Sequence, residues 1–116
     1  MAAREVCFLI SKGGTLLWSD ASTTAWALPD SRERWEAIWS QREDLSEIVH
    51  SHPGGPLGFS TEDVTTMDAI DAALGRPLSY GVVAPNGVIV RDAKGIRVLL
   101  EEPWWAAPLR RASEML

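Results

Sequence analysis

The stretch from Leu78 to Leu100 restricts the fold more than any other part of the chain. It holds three short apolar runs, at residues 78–84, 88–91 and 96–100, separated by Asn86-Gly87 and by Ala93-Lys94-Gly95. The runs are too short for helices and are rich in Val and Ile, which suit a pleated, half-buried surface. Asn-Gly between two such runs is a strong signal for a two-residue hairpin. Consecutive antiparallel strands are expected here, and with them a sheet on which the remaining elements must pack.

Those elements alternate in type. Val6-Cys7-Phe8-Leu9-Ile10 reads as a buried strand ended by Lys12-Gly13-Gly14, with residues 15–18 as its hairpin partner and residues 19–31 as a loop. Asp30 or Ser31 is placed to cap a helix in which Trp35, Ile38 and Trp39 form an apolar stripe. Residues 45–50 return as a strand. Ser60 is a plausible cap for a second helix, whose Val64, Met67, Ile70 and Leu74 recur at helical spacing and which Gly75 and Pro77 stop. In the tail, Trp105, Leu109, Ala112 and Leu116 share a helical face, with Pro108 expected to start the continuous helix. The pattern predicts an α/β (α+β) fold: one domain over residues 1–116, with a mixed sheet of about six strands flanked by two or three helices.

Composition excludes several function classes. The net charge is −5 and the sole adjacent basic pair is Arg110-Arg111, so no nucleic-acid partner is expected. No apolar run approaches the ~20 residues of a membrane span. Glu5 interrupts what an export signal would need, and a single cysteine, Cys7, allows no internal disulfide; a cytoplasmic location is the expectation.

The chain has two histidines, and both lie in His50-Ser51-His52. On a strand, residues two apart point to the same face, so the imidazoles project together. Side by side they suit a divalent transition metal, and Asp63, in the first turn of the next helix, can add an oxygen ligand once Gly54-Gly55 bends the loop back. Three protein ligands leave one tetrahedral position open, the mark of a catalytic zinc. A water bound there needs a base. Glu47 has the wrong strand parity, Glu43 precedes the strand, and Glu62 is turned around the helix from Asp63. Glu5 opens the first apolar strand and reaches the site if the two strands are neighbours. Ser60-Thr61-Glu62-Asp63 fits a purely structural capping pattern equally well, and Glu5 also fits a solvated terminus.

Taken together, these residues resemble the JAMM signature of JAB/MPN-domain metalloproteases. His50-Ser51-His52-Pro53, six residues, then Ser60 and Asp63 match its H-[ST]-H-P and S-x-x-D parts. Glu5-Val6-Cys7-Phe8-Leu9-Ile10 matches the upstream glutamate strand, with Phe8 where the family carries glycine. The resemblance implies a compact prokaryotic member with a JAB/MPN-like fold and one catalytic Zn2+. It implies His50, His52 and Asp63 as ligands, Glu5 as general base and then acid, and Ser60 as donor to the oxyanion. It further implies a zinc-dependent (iso)peptidase, deubiquitinase-like, acting on the C-terminal tail of a ubiquitin-like protein or its conjugate, with activating and conjugating enzymes of the same system as companions. Other JAMM-type processing (cell-wall, phage-tail or amino-acid-carrier) and a non-catalytic partner-binding scaffold remain open, as does a DNA-associated role, against which the acidic balance argues. Trp26, in the loop before Pro29, is a candidate for the substrate groove. Trp104-Trp105 cannot both face one side of a helix, so one of them is available for a partner, including a second copy in a homodimer.

Overall fold

The computed structural model describes residues 3–115. It contains β1 (Val6–Ser11), β2 (Leu16–Ala21), α1 (Arg32–Ser40), β3 (Leu45–Ser51), α2 (Thr61–Leu74), β4 (Ser79–Ala84), β5 (Gly87–Asp92), β6 (Gly95–Val98) and α3 (Ala106–Ser113). The strands form one mixed six-stranded sheet in the order β2-β1-β3-β4-β5-β6. Only β3 and β4 run parallel, and α2 carries the chain between them; the other neighbours are antiparallel. The α+β class read from the sequence is the observed one.

The sheet separates two apolar layers. On one face Val6, Phe8, Ile10, Val49, Val83, Val88 and Val90 pack under Trp105, Ala106 and Leu109 of the α3 region. On the other, Cys7, Leu9, Ile48 and Tyr80 meet Ile38 of α1 and Met67 and Ile70 of α2. Strand β1 is covered on both sides, which is why its sequence is a continuous apolar run instead of an alternating one. Phe8 points into the α3 layer, away from the face that carries the histidines, so a side chain in place of glycine is accommodated there. Gly81 is required by packing: a Cβ on it would lie 2.6 Å from the Trp105 ring and 3.1 Å from Val49. Trp105 is buried, whereas Trp104 stays half exposed.

Several local expectations shift. Strand β2 runs on to Ala21, where the polar composition of residues 19–21 suggested loop; as an edge strand with one bonded neighbour it tolerates Ser19 and Asp20. Gly87 pairs with Ala84, so the two-residue turn is Pro85-Asn86 instead of Asn86-Gly87. Helix α3 starts at Ala106, two residues earlier than expected, because Pro108 sits in the first turn, where the missing N–H costs no helical bond. Trp35 packs on the α1/α2 layer, but Trp39 is 54% exposed at the rim of the α1 stripe, with the Arg42 guanidinium 4.2 Å above its ring. Leu116, expected on the tail's apolar face, lies outside the described residues.

Candidate metal centre

Strand pairing brings the site together. In the β1–β3 ladder Cys7 stands opposite His50, which places Glu5, two residues before Cys7, next to His52 at the same sheet end. His52 has left the β1 ladder, and its N–H donates to Val83 O of β4 at 2.8 Å. The chain then reverses at residues 52–55, with Gly55 N–H donating to His52 O and Gly55 at φ +75°, a backbone conformation that favours glycine. The reversal delivers residues 56–60 to the start of α2.

That helix start carries a complete capping box. The Ser60 hydroxyl accepts from Asp63 N–H at 3.0 Å, and the Asp63 carboxylate accepts from Ser60 N–H at 2.8 Å. The same carboxylate lies 3.3 Å from His50 Nε2 and 3.5 Å from His52 Nε2. Cap and site, which the sequence offered as alternatives, are one arrangement: the cap holds Asp63 in the orientation that faces the imidazoles.

The donor set fits a divalent cation. The two Nε2 atoms are 3.1 Å apart with the rings at 71° to each other. Ligands about 2.0–2.1 Å from a tetrahedral zinc are themselves separated by roughly 3.3 Å, close to all three separations here. His52 Nδ1 is 3.0 Å from Pro56 O. Only an Nδ1–H can donate to that carbonyl, so in the neutral ring Nε2 keeps its lone pair, the usual way a ligand histidine is fixed in its tautomer; in the protonated, metal-free ring Nε2–H faces Asp63. Ligand atoms of Glu5, His50 and His52 also lie within 4.8 Å of one another. The Asp63 carboxylate, anchored by its cap, and the Glu5 carboxylate both lie beside the two imidazoles, and either could supply an oxygen to a cation held there.

The two carboxyls differ electrostatically. Burial disfavours ionisation of Asp63, but hydrogen bonding with His50 and His52, the charge of His50 and the Ser60 N–H outweigh it and hold the carboxyl far below its usual range. Burial also opposes charging of His52, yet Asp63, the Pro56 carbonyl and Glu5 together raise its pKa. Glu5 is 6% exposed, and its carboxylate makes no hydrogen bond among the described residues. Burial raises its pKa, and the charges of His52 and His50 pull it back. A carboxyl so placed is suited to hold a proton briefly.

The site opens into a cleft of ≈ 740 Å³ between α1 and α2. Glu5, His50, His52, Ser60 and Asp63 line one end; Leu28, Trp35 and Met67 are among the residues lining the rest. Trp26 stands on its wall and is 82% exposed, so it is available to a ligand. Ser60 lines the cleft, and its O–H is not engaged among the described residues, its oxygen only accepting. Glu47 faces the α3 side, as its parity required, beside Trp105. Cys7 is buried and its thiol is pushed up to about 12 by burial, so it is no thiolate nucleophile.

Two contributors were not legible in the sequence. The Pro56 carbonyl is a backbone group and has no residue-type signal. Arg34 grips Asp20 of β2 with two nitrogens at 2.6–3.2 Å and also donates to Pro29 O, tying α1 to β2 and to the loop that bears Trp26; its place in the α1 pattern marks only a half-buried cation. No helix among the described residues is long and apolar enough to cross a membrane. No family model matches the chain, and no curated protein matches it.

Proposed function

We propose that the chain is a zinc-dependent metallopeptidase of the JAMM type that cleaves a peptide or isopeptide bond at the C-terminal tail of a ubiquitin-like protein. The observation that carries the hydrolase reading is the cluster of two imidazole Nε2 atoms and the Asp63 carboxylate, at separations of 3.1–3.5 Å, with buried Glu5 beside it. His50, His52 and Asp63 would hold the zinc. A zinc ion in such a site supplies Lewis acidity and brings the pKa of water down to roughly 7. Glu5 takes the proton from the attacking water and returns it to the leaving amine, a role supported by its burial and its raised pKa. The Ser60 hydroxyl donates to the oxygen on which negative charge develops. The motif His50-Ser51-His52-Pro53 with Ser60 and Asp63 supports the choice of a ubiquitin-like tail, and with it activating and conjugating enzymes as companions in the cytoplasm.

The cleft favours a second substrate class. Trp26, Leu28 and Trp35 are among the residues that line its ≈ 740 Å³, an apolar surface that a glycine tail has no side chain to meet. A JAMM-type peptidase that accepts an apolar side chain next to the scissile bond would use that space. The two readings separate in one assay. Zinc-loaded protein is offered ubiquitin-like precursors and isopeptide conjugates in parallel with short peptides bearing apolar residues, with Glu5→Gln as control. Cleavage of the first set alone supports the isopeptidase, and cleavage of the peptides alone supports the second class. Stoichiometric zinc with no cleavage of either set counts against both.

A further inference from the structure

Ser51, between the two histidines, points to the opposite face of β3 from them and is fully buried. Its hydroxyl accepts from Val6 N–H at 2.9 Å and donates to Arg4 O at 3.4 Å. Arg4 and Val6 flank Glu5, so one side chain grips the peptide groups on both sides of the acid. The geometry has a clear origin. At Ser51 the backbone of β3 is leaving β1 for β4, and the ladder has lost the carbonyl that would have taken the Val6 N–H. The serine hydroxyl supplies the acceptor instead. Ser113, the last residue of α3, holds the same segment: Arg4 N–H donates to Ser113 O at 3.0 Å and the Ser113 hydroxyl donates to Arg4 O.

We propose that Ser51 is a positioning residue for Glu5, fixing the acid against the metal ligands that flank Ser51 in sequence, with Ser113 as its second support. The role of Glu5 rests on the function proposed above; the clamp itself does not. His50 and His52 are held by β4 and by Pro56, and Glu5 keeps its own backbone bonds to Thr24 O and Ser22 N–H at 2.8 Å on the β2 side, so loss of the Ser51 hydroxyl leaves the ligands in place and loosens the acid on its β3 side alone.

The test uses full-length, zinc-loaded protein with Ser51→Ala, Ser51→Thr and Ser113→Ala. Zinc content is expected to stay at the wild-type level in all three. Amide hydrogen exchange at Val6 should rise about tenfold in Ser51→Ala, with the core amides of Val49 and Val83 unchanged. Ser51→Thr should restore the wild-type rate, and Ser113→Ala should produce a smaller rise confined to the same segment. On whichever substrate of the panel the wild type cleaves, Ser51→Ala should lower kcat by up to about 100-fold at unchanged KM, and should cost nothing further in a Glu5→Gln background. Unchanged exchange at Val6, a uniform rise across β1 and β3, loss of zinc, or a full additive loss in the double variant would each overturn the proposal. A wild-type protein inactive on every substrate would strike the proposed function; the exchange arm would still decide the clamp.

Discussion

Replacing Asp63 with Asn and, separately, Ser60 with Ala pulls apart the two roles that meet at the start of α2. Asp63 accepts from Ser60 N–H at 2.8 Å while lying 3.3 and 3.5 Å from the two imidazoles. Asparagine keeps one carbonyl oxygen for the Ser60 amide but loses the charge and the second oxygen. Its helix should therefore survive and its metal site should not. Groups that merely touch a ligand are worth 10–100-fold in metal affinity, so loss of a ligand should exceed about 100-fold. At fixed free zinc well above the wild-type Kd, that is about 2.7 kcal/mol of lost zinc-dependent stability, or about 10 °C of the zinc-induced rise in Tm. Ser60→Ala removes the acceptor for Asp63 N–H, and a lost N-cap costs about 1 kcal/mol, near 4 °C, equally with and without zinc. Thermal melts of both variants, metal-free and across a zinc titration, read these numbers directly. A full zinc-induced shift in Asp63→Asn, or its loss in Ser60→Ala with none in Asp63→Asn, would refute the assignment of Asp63.

His52→Ala should bind no stoichiometric zinc by atomic absorption; full loading would remove His52 from the ligand set. Glu5→Gln should keep its zinc and lose about 10²–10⁴-fold in kcat on a cleaved substrate, and equal activity would remove Glu5 from the mechanism. Gly81→Ala should lower stability by about 1–3 kcal/mol through overpacking against Trp105, seen as a lower urea midpoint at unchanged slope; an unchanged midpoint would contradict the packing described. In the metal-free protein the raised pKa of His52 stabilises the fold fully below the ordinary imidazole value of about 6.5, and that contribution is lost as pH rises through the folded value. The urea midpoint should thus gain less, or fall, from pH 6 to pH 8 in the wild type relative to Asp63→Asn, and matching pH dependences would contradict the coupling.

Much of this arrangement can be read from residue order. The apolar runs and turn signals between Leu78 and Leu100 gave the hairpins because β-branched content and turn chemistry act locally. The histidine spacing gave a shared face because strand periodicity is fixed. The partnership of Glu5 with His50 and His52 was conditional on β1 lying beside β3, a long-range pairing that no local pattern encodes. The cap-or-ligand choice at Asp63 could not be settled from a four-residue pattern, since both roles use the same carboxylate. The spacing puts Trp39 on the apolar stripe of α1, but helical periodicity does not say where the rim of a short helix falls, nor that Arg42 covers the ring. The second hydrogen bond of His52, to Pro56 O, comes from backbone and leaves no trace in residue type.

The most direct measurement is the anomalous-scattering crystal structure of the zinc-loaded protein. One zinc per chain is expected, with His50 Nε2 and His52 Nε2 at about 2.0–2.1 Å, an Asp63 oxygen at about 2.0–2.2 Å, and the Glu5 carboxylate outside the coordination sphere facing the open position. Zinc bound elsewhere, or held by Glu5 with Asp63 turned away, would contradict it.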